Sequence, residues 1–317
     1  YIVGTSGTET IRLIVETNHG CIDTIFKDIK IWELPVIDFT VTDECIGNQV
    51  TIANNTTTKD DVIKNWTWDL GDAKTSTMKN PNPSYTISGI KKVTLKAESE
   101  NGCFNEKTID CEIYPLPNMD FAFVEQCVNI PTTFENASTI SKGTIDKYQY
   151  TFGDGNSSTL SSPSNTYTIE GKTYSTLLIG TSNYGCVDSV RKDVKSHAIP
   201  VVDFTADPLK DCAPLVANFT DLSTVLGGVI SEWEWKQNGS IFSANSTANY
   251  SFKLPGTKSI SLKVKSSFGC ENNLTKPAML TVFTKPFADF SYLPKDPTTS
   301  GPEVTVSEQC WCARIPH

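Results

Sequence analysis

The sequence predicts an all-β protein, a tandem array of small antiparallel β-sandwiches that together form an extended rod. A Gly-Cys dipeptide recurs every 82 to 84 residues, with its cysteines at positions 21, 103, 186 and 270. A Pro-x-x-Asp-Phe motif recurs in the same register, with its prolines at positions 35, 117, 200 and 286. Two independent marks in one register indicate tandem copies of one small domain.

The repeat register divides the chain into five parts. Residues 1–34 are expected to be the C-terminal part of one domain, which predicts that the chain is a piece of a longer protein. Three domains then follow, at 35–116, 117–199 and 200–285, and a further copy starts in 286–317 before an atypical tail at 308–317. Each boundary carries a proline, and such short links restrict bending more than Gly/Ser linkers do.

Within one copy, the strands follow from alternation of apolar and polar residues. In residues 35–116, the segments 37–41, 49–53, 65–70, 91–97 and 106–114 alternate or are rich in β-forming residues. Clusters of Asn, Asp, Gly, Ser and Pro separate them. Short strands at this spacing are typical of an antiparallel sandwich.

Composition excludes several classes of partner. The formal net charge is −9 and the isoelectric point is about 4.9. Nucleic acid and anionic membranes both need a basic face, so neither is expected as a partner. No stretch approaches the roughly 20 apolar residues of a membrane span, so direct membrane insertion is not expected.

Six cysteines recur as one early and one late cysteine per copy, 58 or 59 residues apart. This spacing predicts one disulfide within each domain: Cys45–Cys103, Cys127–Cys186 and Cys212–Cys270. Metal ligation would need cysteines or histidines at short spacing, which these lack. Disulfides in turn indicate an oxidising compartment, the cell surface or the extracellular space.

Four cysteines remain outside this scheme. Cys21 stands at a late position, so its partner is expected before residue 1. Cys111 is interpreted as a buried thiol rather than as a bridge between domains. Cys310 and Cys312 belong to the atypical tail, which does not continue the repeat.

A turn motif in each copy carries a family resemblance. The stretch Trp66 to Asp72 reads Trp-Thr-Trp-Asp-Leu-Gly-Asp, and Tyr148 to Gly155 reads Tyr-Gln-Tyr-Thr-Phe-Gly-Asp-Gly. A proline-rich segment ending in Tyr85 or Tyr167 follows. The pattern resembles the polycystic kidney disease (PKD) domain, whose hallmark is Trp-x-Phe-Gly-Asp-Gly followed by Pro-x-x-x-Tyr. The resemblance implies an immunoglobulin-like sandwich.

The third copy departs from this pattern. It keeps Trp233-Glu-Trp235 and a segment from Tyr250 to Gly256, but Lys236 to Gly239 replaces the Gly-Asp turn. The cysteines and the Asn-x-Gly-Cys ending resemble PKD-like repeats of surface proteins from gliding bacteria. That resemblance implies very long adhesins and proteins exported by the type IX secretion route.

The turn residues themselves need no enzymatic explanation. Glycine permits a positive φ, and a short carboxylate can accept hydrogen bonds from nearby backbone N–H groups. We therefore assign a structural role to the turn residues Gly71, Asp72, Gly153, Asp154 and Gly155. Calcium binding by Asp72, Asp154 or the aspartates of the Pro-x-x-Asp-Phe motif (Asp38, Asp120, Asp203 and Asp289) is the alternative.

Two kinds of glycan site are suggested by pattern. Each copy has a pair of aromatic residues on one face of its central strand, at positions 66/68, 148/150 and 233/235. These residues are expected mainly to form the sandwich core, and Trp66 and Trp233 are a candidate platform for sugar rings. Thr24 and Ser189 lie in Asp-Thr/Ser-apolar triplets that resemble bacterial O-glycosylation acceptors. Asn-x-Ser/Thr triplets, such as the one at Asn136, would carry N-glycans only in a eukaryotic host.

No catalytic pattern stands out. The three histidines lie outside any His-Glu-x-x-His motif, and no Gly-x-Ser-x-Gly or phosphate-binding loop occurs. We therefore expect no enzyme and no cofactor.

The sequence predicts a structural or adhesive stalk of a secreted bacterial surface protein. Its expected partners are neighbouring repeats of the same chain and a surface polysaccharide or another cell-surface protein. The alternatives are a carbohydrate-binding or spacer module of a secreted hydrolase (chitinase or protease), and a eukaryotic PKD ectodomain.

Overall fold

The protein is described here by a computed structural model that covers residues 6–293 and 305–311. Every regular element in these residues is a β-strand, arranged as three sandwiches and two hairpins. We name the sandwiches A, B and C by their separate hydrophobic cores, which lie within residues 37–113, 119–194 and 202–282. The predicted all-β fold class with tandem sandwiches is confirmed.

The first hairpin pairs β1 (Gly7–Glu16) with β2 (Ile22–Ile31). Its antiparallel register joins Gly7 to Ile31, as Gly89 joins Ile113 in the next repeat. The hairpin therefore corresponds to the last two strands of a sandwich, in agreement with its place in the repeat register.

Sandwich A has a two-stranded and a five-stranded sheet. The small sheet pairs β3 with β5, and the large sheet has the order β4-β9-β8-β6-β7. The strands are β3 (Phe39–Val41), β4 (Glu44–Cys45), β5 (Ile52–Asn54), β6 (Ile63–Asp69), β7 (Thr75–Ser76), β8 (Gly89–Ser99) and β9 (Phe104–Tyr114).

Sandwich B repeats this plan with sheets ordered β10-β11-β14 and β13-β12-β15-β16. Its strands are β10 (Phe121–Phe123), β11 (Pro131–Asn136), β12 (Ile145–Thr151), β13 (Ser157–Ser158), β14 (Ser164–Thr166), β15 (Thr173–Ser182) and β16 (Val187–Lys195). A parallel bridge between Cys127 and His197 stands where β4 pairs with β9 in sandwich A.

Sandwich C has sheets ordered β17-β19-β22 and β18-β24-β23-β20-β21. Its strands are β17 (Phe204–Asp207), β18 (Lys210–Cys212), β19 (Leu215–Asp221), β20 (Ile230–Gln237), β21 (Ser240–Ser243), β22 (Thr247–Phe252), β23 (Gly256–Ser266) and β24 (Glu271–Phe283). The parallel pair of β18 with β24 again places an early cysteine beside the end of the last strand.

A second hairpin follows sandwich C. It pairs β25 (Phe287–Leu293) with β26 (Thr305–Trp311). The start of the expected further copy therefore forms a strand, and the expected atypical tail begins within β26. Cys312 and the rest of that tail lie outside the described residues.

Strand alternation explains each core. On β8, Val93, Leu95 and Ala97 are fully buried while the residues between them face outward. This period of two places one face of each sheet against the other, as expected for packed sheets. The largest fully buried side chains are the aromatic residues of β6 and β20, Trp68 and Trp235.

Candidate functional site

The Gly-Asp turn of sandwich A joins β6 to β7 and is built on backbone geometry. Gly71 and Asp72 both have positive φ, 76° and 50°, the region that favours glycine and tolerates aspartate. The Asp72 carboxylate accepts a hydrogen bond from the Lys91 ammonium at 2.7 Å, and that lysine is only 7% exposed. The turn thus supplies the counter-charge for a nearly buried cation.

Sandwich B holds the same turn with different partners. Gly153 has a φ of 83°, and a Cβ at this position would lie 2.9 Å from the backbone oxygen of Ser175. Asp154 accepts hydrogen bonds from the side-chain amides of Asn156 and Asn165, at 3.1 and 2.7 Å. Gly155 also has a positive φ, 101°. These contacts support the structural interpretation of the turn.

Sandwich C replaces the turn with a two-residue hairpin between β20 and β21. Asn238 and Gly239 have φ values of 51° and 81°, which an Asn-Gly hairpin turn requires. Phe252, four residues before Gly256, occupies the position of Tyr85 and Tyr167 and is buried. Tyr250, two residues earlier on the same strand, is only partly buried.

The tyrosines after the turn close sandwiches A and B. The hydroxyl of Tyr85 donates to the carbonyl of Leu70 at 2.5 Å, and that of Tyr167 donates to the carbonyl of Phe152 at 3.4 Å. Burial raises the pKa of Tyr85 to about 12. Both phenols therefore stay protonated donors at neutral pH and hold the turn against the opposite sheet.

The aromatic pairs divide between core and surface. Trp68, Tyr150 and Trp235 are fully buried, whereas Trp66 and Trp233 are partly exposed beside the same cores. The indole N–H of Trp233 donates to the Asp221 carboxylate at 2.6 Å. The sugar-platform role of Trp66 and Trp233 stays a prediction.

The aspartates of the Pro-x-x-Asp-Phe motif face a lysine of the last strand of their own sandwich. Lys192 Nζ lies 2.6 Å from Asp120, and Lys276 Nζ lies 2.7 Å from Asp203. Each lysine also lies against the ring of the following phenylalanine. These hydrogen bonds lower the pKa values of Asp120 and Asp203.

This arrangement gives the motif a structural explanation. At the start of sandwich A, Asp38 has Lys107 Nζ at 3.9 Å. Among the residues that the structure describes, no group of three or more His, Cys, Asp or Glu side chains is placed to hold a metal ion. The calcium alternative stays a prediction.

The candidate O-glycosylation residues lie at equivalent, accessible places. Thr24 and Ser189 are exposed near the starts of β2 and β16. The backbone N–H of each donates to the carboxylate of the preceding aspartate, Asp23 or Asp188, at 2.8 and 2.7 Å. The hydroxyls face solvent, and their modification stays a prediction.

The disulfides connect neighbouring sandwiches. Cys45 of sandwich A bonds Cys186 of sandwich B, and Cys127 of sandwich B bonds Cys270 of sandwich C. The Cα atoms are 5.6 and 5.7 Å apart, ordinary values for a disulfide. The predicted pairings within single domains, Cys45–Cys103, Cys127–Cys186 and Cys212–Cys270, were wrong.

The physical reason lies in the length of the last strand. Cys45 lies beside Tyr114 at the end of β9, and Cys103 immediately precedes its start. Eleven residues at about 3.4 Å each separate these ends by roughly 35 Å. No disulfide spans that distance, and sequence spacing does not show at which end of a strand a cysteine lies.

Four further cysteines, at positions 21, 103, 111 and 212, are free. Cys103 and Cys212, which the wrong pairings had included, are partly exposed and exposed. Cys21 is free and exposed. Cys111 is fully buried and its thiol donates to the Thr42 carbonyl at 3.4 Å, which confirms the buried-thiol interpretation. Burial raises its pKa to about 11, so it is protonated and unreactive at neutral pH.

Aromatic rings stack beside each disulfide. Tyr114 stacks on Tyr184 at 3.9 Å between ring centroids, and His197 stacks on Phe268 at 4.0 Å. In both links the first ring ends a sandwich, and the second ring stands two residues before the cysteine of the next sandwich. Lys142 of sandwich B also forms an ion pair with Glu112 of sandwich A.

A glycine faces each of these rings. A Cβ on Gly143 would lie 2.2 Å from the side-chain oxygen of Asn183 and 2.6 Å from a ring carbon of Tyr184, and one on Gly228 would lie 2.7 Å from a ring carbon of Phe268. Sandwich A has Asp61 at this position, where it accepts a hydrogen bond from Asn101, the residue before Gly102-Cys103. The two sandwiches that present an aromatic ring before Gly-Cys therefore also have a glycine facing that ring, whereas sandwich A has neither.

Sequence reasoning missed this interface. The residues that form it are Tyr114, Gly143, Tyr184, His197, Gly228 and Phe268. The available signal was a shared pattern: a ring before Gly-Cys in the second and third copies, matched by a glycine before the central strand. In the region covered by 6–293 and 305–311, no helix is long and apolar enough to cross a membrane.

Comparison with known proteins agrees with the geometry. The PKD domain family matches residues 32–113 and 116–196, just over half of the chain. The PKD1 domain of the Vibrio cholerae metalloprotease PrtV is 27% identical over 26% of this chain and 98% of its own, with a TM-score of 0.24. The PKD1 domain of Vibrio anguillarum Epp is 22% identical over 26% of this chain and 95% of its own, with a TM-score of 0.25.

A multidomain structure is also similar. A solved chain from a study of host cell surface retention of a 1.5-MDa bacterial ice-binding adhesin is 10% identical over 78% of this chain and 99% of that solved chain, with a TM-score of 0.35. The repeated turn, the closing tyrosine and the sandwich topology are those that the sequence led us to expect of one family. This chain belongs to the PKD domain family.

Proposed function

We propose that this chain is a load-bearing stalk segment of a secreted cell-surface protein, in which a disulfide locks each PKD domain to the next. The observation that supports the proposal is the pair of disulfides between sandwiches. Each bond bypasses the residues inside its loop, so a stalk under tension cannot extend along its whole chain even when its sandwiches unfold.

The disulfide loops overlap, and this limits how far the stalk can extend. Each bond spans more than 140 residues, and the region from Cys127 to Cys186 belongs to both loops. With both bonds intact, the shortest covalent route from Cys45 to Cys270 crosses only the stretch between Cys127 and Cys186. That route extends to about 200 Å, against about 770 Å for the reduced chain.

We place the protein outside the cell, where such bonds persist. The proposed setting is an adhesin or gliding-type surface filament exported by the type IX route, with the sandwiches in an extended rod. Its partners would be neighbouring repeats of the same chain, and a surface polysaccharide or cell-surface protein at a distal tip. Within this segment we propose no catalytic role and no cofactor.

Single-molecule stretching from the two ends of the chain tests the proposal. In the oxidised protein, the region between Cys45 and Cys270 should lengthen to about 200 Å and stop, whereas after full reduction the same region should extend to about 770 Å in total. The Cys127→Ser/Cys270→Ser variant should stop at about 280 Å, because 84 residues then remain outside the first loop.

The Cys103→Ser/Cys212→Ser variant is the matched control, since neither cysteine is bonded. It should behave as the unmodified protein. Equal extension of the oxidised and reduced chains would contradict a load-bearing role for the links.

A further inference from the structure

The far end of sandwich C repeats a surface that the other two sandwiches use for a link. The backbone N–H after each early cysteine donates to the carbonyl of a residue at the end of the last strand or, in sandwich B, two residues beyond it. The donor–acceptor pairs are Ile46–Tyr114 at 3.0 Å, Val128–His197 at 2.8 Å and Ala213–Phe283 at 2.9 Å. Cys212 and Phe283 therefore hold the same relation as Cys45 and Tyr114.

The surface at the end of sandwich C differs from the other two because no ring of a following sandwich covers it in the described residues. Tyr114 and His197 each stack on a ring of the following sandwich, and the cysteine beside each is bonded. Phe283 is 39% exposed and Cys212 is a free, exposed thiol. An apolar ring and a thiol thus lie open side by side, in the geometry that elsewhere receives a partner.

We propose that this end of sandwich C binds the Gly-Cys loop of a further PKD domain that follows at Pro286, and that Cys212 forms a disulfide with its late cysteine. The proposal deepens the stalk function and rests on it. It is supported by continuity with two interfaces of the same chain. It is also supported by the motif Pro286 to Phe290, with which each earlier copy begins.

The incoming loop is defined by chemistry. It should present a ring before Gly-Cys, to stack on Phe283, with a glycine facing that ring, as Gly143 and Gly228 do. The bond forms by oxidation of two thiols to one disulfide. Two protons and two electrons pass to a disulfide oxidant such as oxidised glutathione, which is reduced to two thiols.

The test extends the full chain. Residues 286–317 are replaced by a second copy of residues 117–199, whose loop contains Tyr184 and Cys186 and whose facing residue is Gly143. A Val187→Ile substitution in the added copy marks its peptides by mass, and Val187 is exposed. The protein is oxidised in a glutathione buffer, alkylated and mapped without reduction.

The expected map contains three bonds: Cys45–Cys186, Cys127–Cys270 and Cys212 to the marked Cys186. Gly143→Val in the added copy should slow formation of the new bond. A version that adds residues 35–116 instead offers Asn101 in place of a ring. It should form the bond about 2- to 10-fold more slowly, the range that corresponds to one aromatic stack.

Two outcomes would overturn the inference. In one, Cys212 and the added late cysteine are both alkylated although hydrogen exchange shows that the added copy is folded. In the other, Cys212 bonds a cysteine other than the added one. Using two different added copies guards against a copy that does not fold. If the two original bonds still form and limit extension, the stalk function stands while this inference fails.

Discussion

The links A–B and B–C share one geometry but differ in how it is stabilised. Both have a disulfide, a stacked pair of rings and a facing glycine. In A–B the first ring is the half-buried Tyr114, beside a lysine–glutamate pair at the surface. In B–C it is His197, only 6% exposed, whose Nε2 lies 2.8 Å from the Glu125 carboxylate.

The comparison indicates which features two neighbouring sandwiches need to form a link. Ring identity varies between tyrosine, histidine and phenylalanine, whereas the cysteines and the glycines stay at fixed positions. A disulfide between the sandwiches and space for an aromatic ring beside the glycine are therefore the features that both links share. Ring chemistry sets how tightly each link is packed. In B–C, Leu226 also packs against Gly171, and the Lys195 ammonium lies over the Phe268 ring.

The largest effect should come from removing one disulfide at a time. Cys45→Ser/Cys186→Ser and Cys127→Ser/Cys270→Ser each open a loop of more than 140 residues, which should cost about 5 kcal/mol by chain entropy. We expect the A–B variant to lose more coupling between its sandwiches, because its noncovalent contacts are more exposed. Denaturant unfolding and hydrogen exchange of the two variants measure this.

The control for that experiment is Cys103→Ser/Cys212→Ser, which removes the exposed free thiols of the sandwiches without removing a bond. If it destabilises the protein as much as the pair variants do, thiol loss rather than link closure explains the effect.

The next effect should come from the facing glycines. Gly228→Ala adds a methyl group 2.7 Å from the Phe268 ring, with an overpacking cost of about 1–3 kcal/mol. Gly143→Ala adds a similar clash and also places alanine at a φ of 87°, so it should cost more. The yield and rate of disulfide formation during oxidative refolding report both effects.

A matched variant separates strain from steric conflict. Gly102 has a φ of 82°, and a Cβ there would meet no atom within 4 Å. Gly102→Ala therefore has the strain of Gly143→Ala without the clash. If the two variants form their disulfides with the same yield and rate during refolding, the function of Gly143 is not to leave space for the Tyr184 ring.

Removal of the second ring should have a smaller effect. Tyr184→Ala and Phe268→Ala each delete one stack, which contributes about 0.5–1.5 kcal/mol beyond buried area. Phe268→Ala should be the more damaging, because it uncovers His197. We expect its disulfide, Cys127–Cys270, to be reduced faster by dithiothreitol than Cys45–Cys186 is in Tyr184→Ala. Equal reduction rates would show that burial of His197 adds nothing to the link.

Acid should weaken sandwiches B and C through the aspartates that follow each link. Hydrogen bonds from Lys192 and Lys276 lower the pKa values of Asp120 and Asp203 below the ordinary 3.8. Their contribution is fully present above about pH 4 and is lost as pH falls through the folded-state pKa. Lys192→Met and Lys276→Met should flatten this acid dependence, as followed by the unfolding midpoint between pH 5 and pH 2.

The sequence predicted the all-β sandwich fold class because alternation and turn residues act locally. Alternating apolar residues such as Val93 and Leu95 predict a buried strand face, and the Gly71-Asp72 pair predicts a turn. The partner of Cys45 was not predictable in this way, because it depends on which end of β9 meets the next sandwich. The Asn238-Gly239 hairpin shows the same limit, since a different local turn preserves the same sheet order.

The smallest expected response concerns the candidate sugar platform, and it separates a stalk from a carbohydrate-binding module. Trp66 and Trp233 pack beside their cores, and the Trp233 indole already donates to Asp221. That hydrogen bond restricts rotation of the Trp233 indole, which leaves the ring little freedom to adjust to a sugar. Tryptophan fluorescence should therefore show no saturable change with chitin or cellulose oligosaccharides. A saturable shift that Trp233→Phe abolishes and Trp66→Phe preserves would instead place a glycan site on sandwich C and favour the accessory module of a hydrolase.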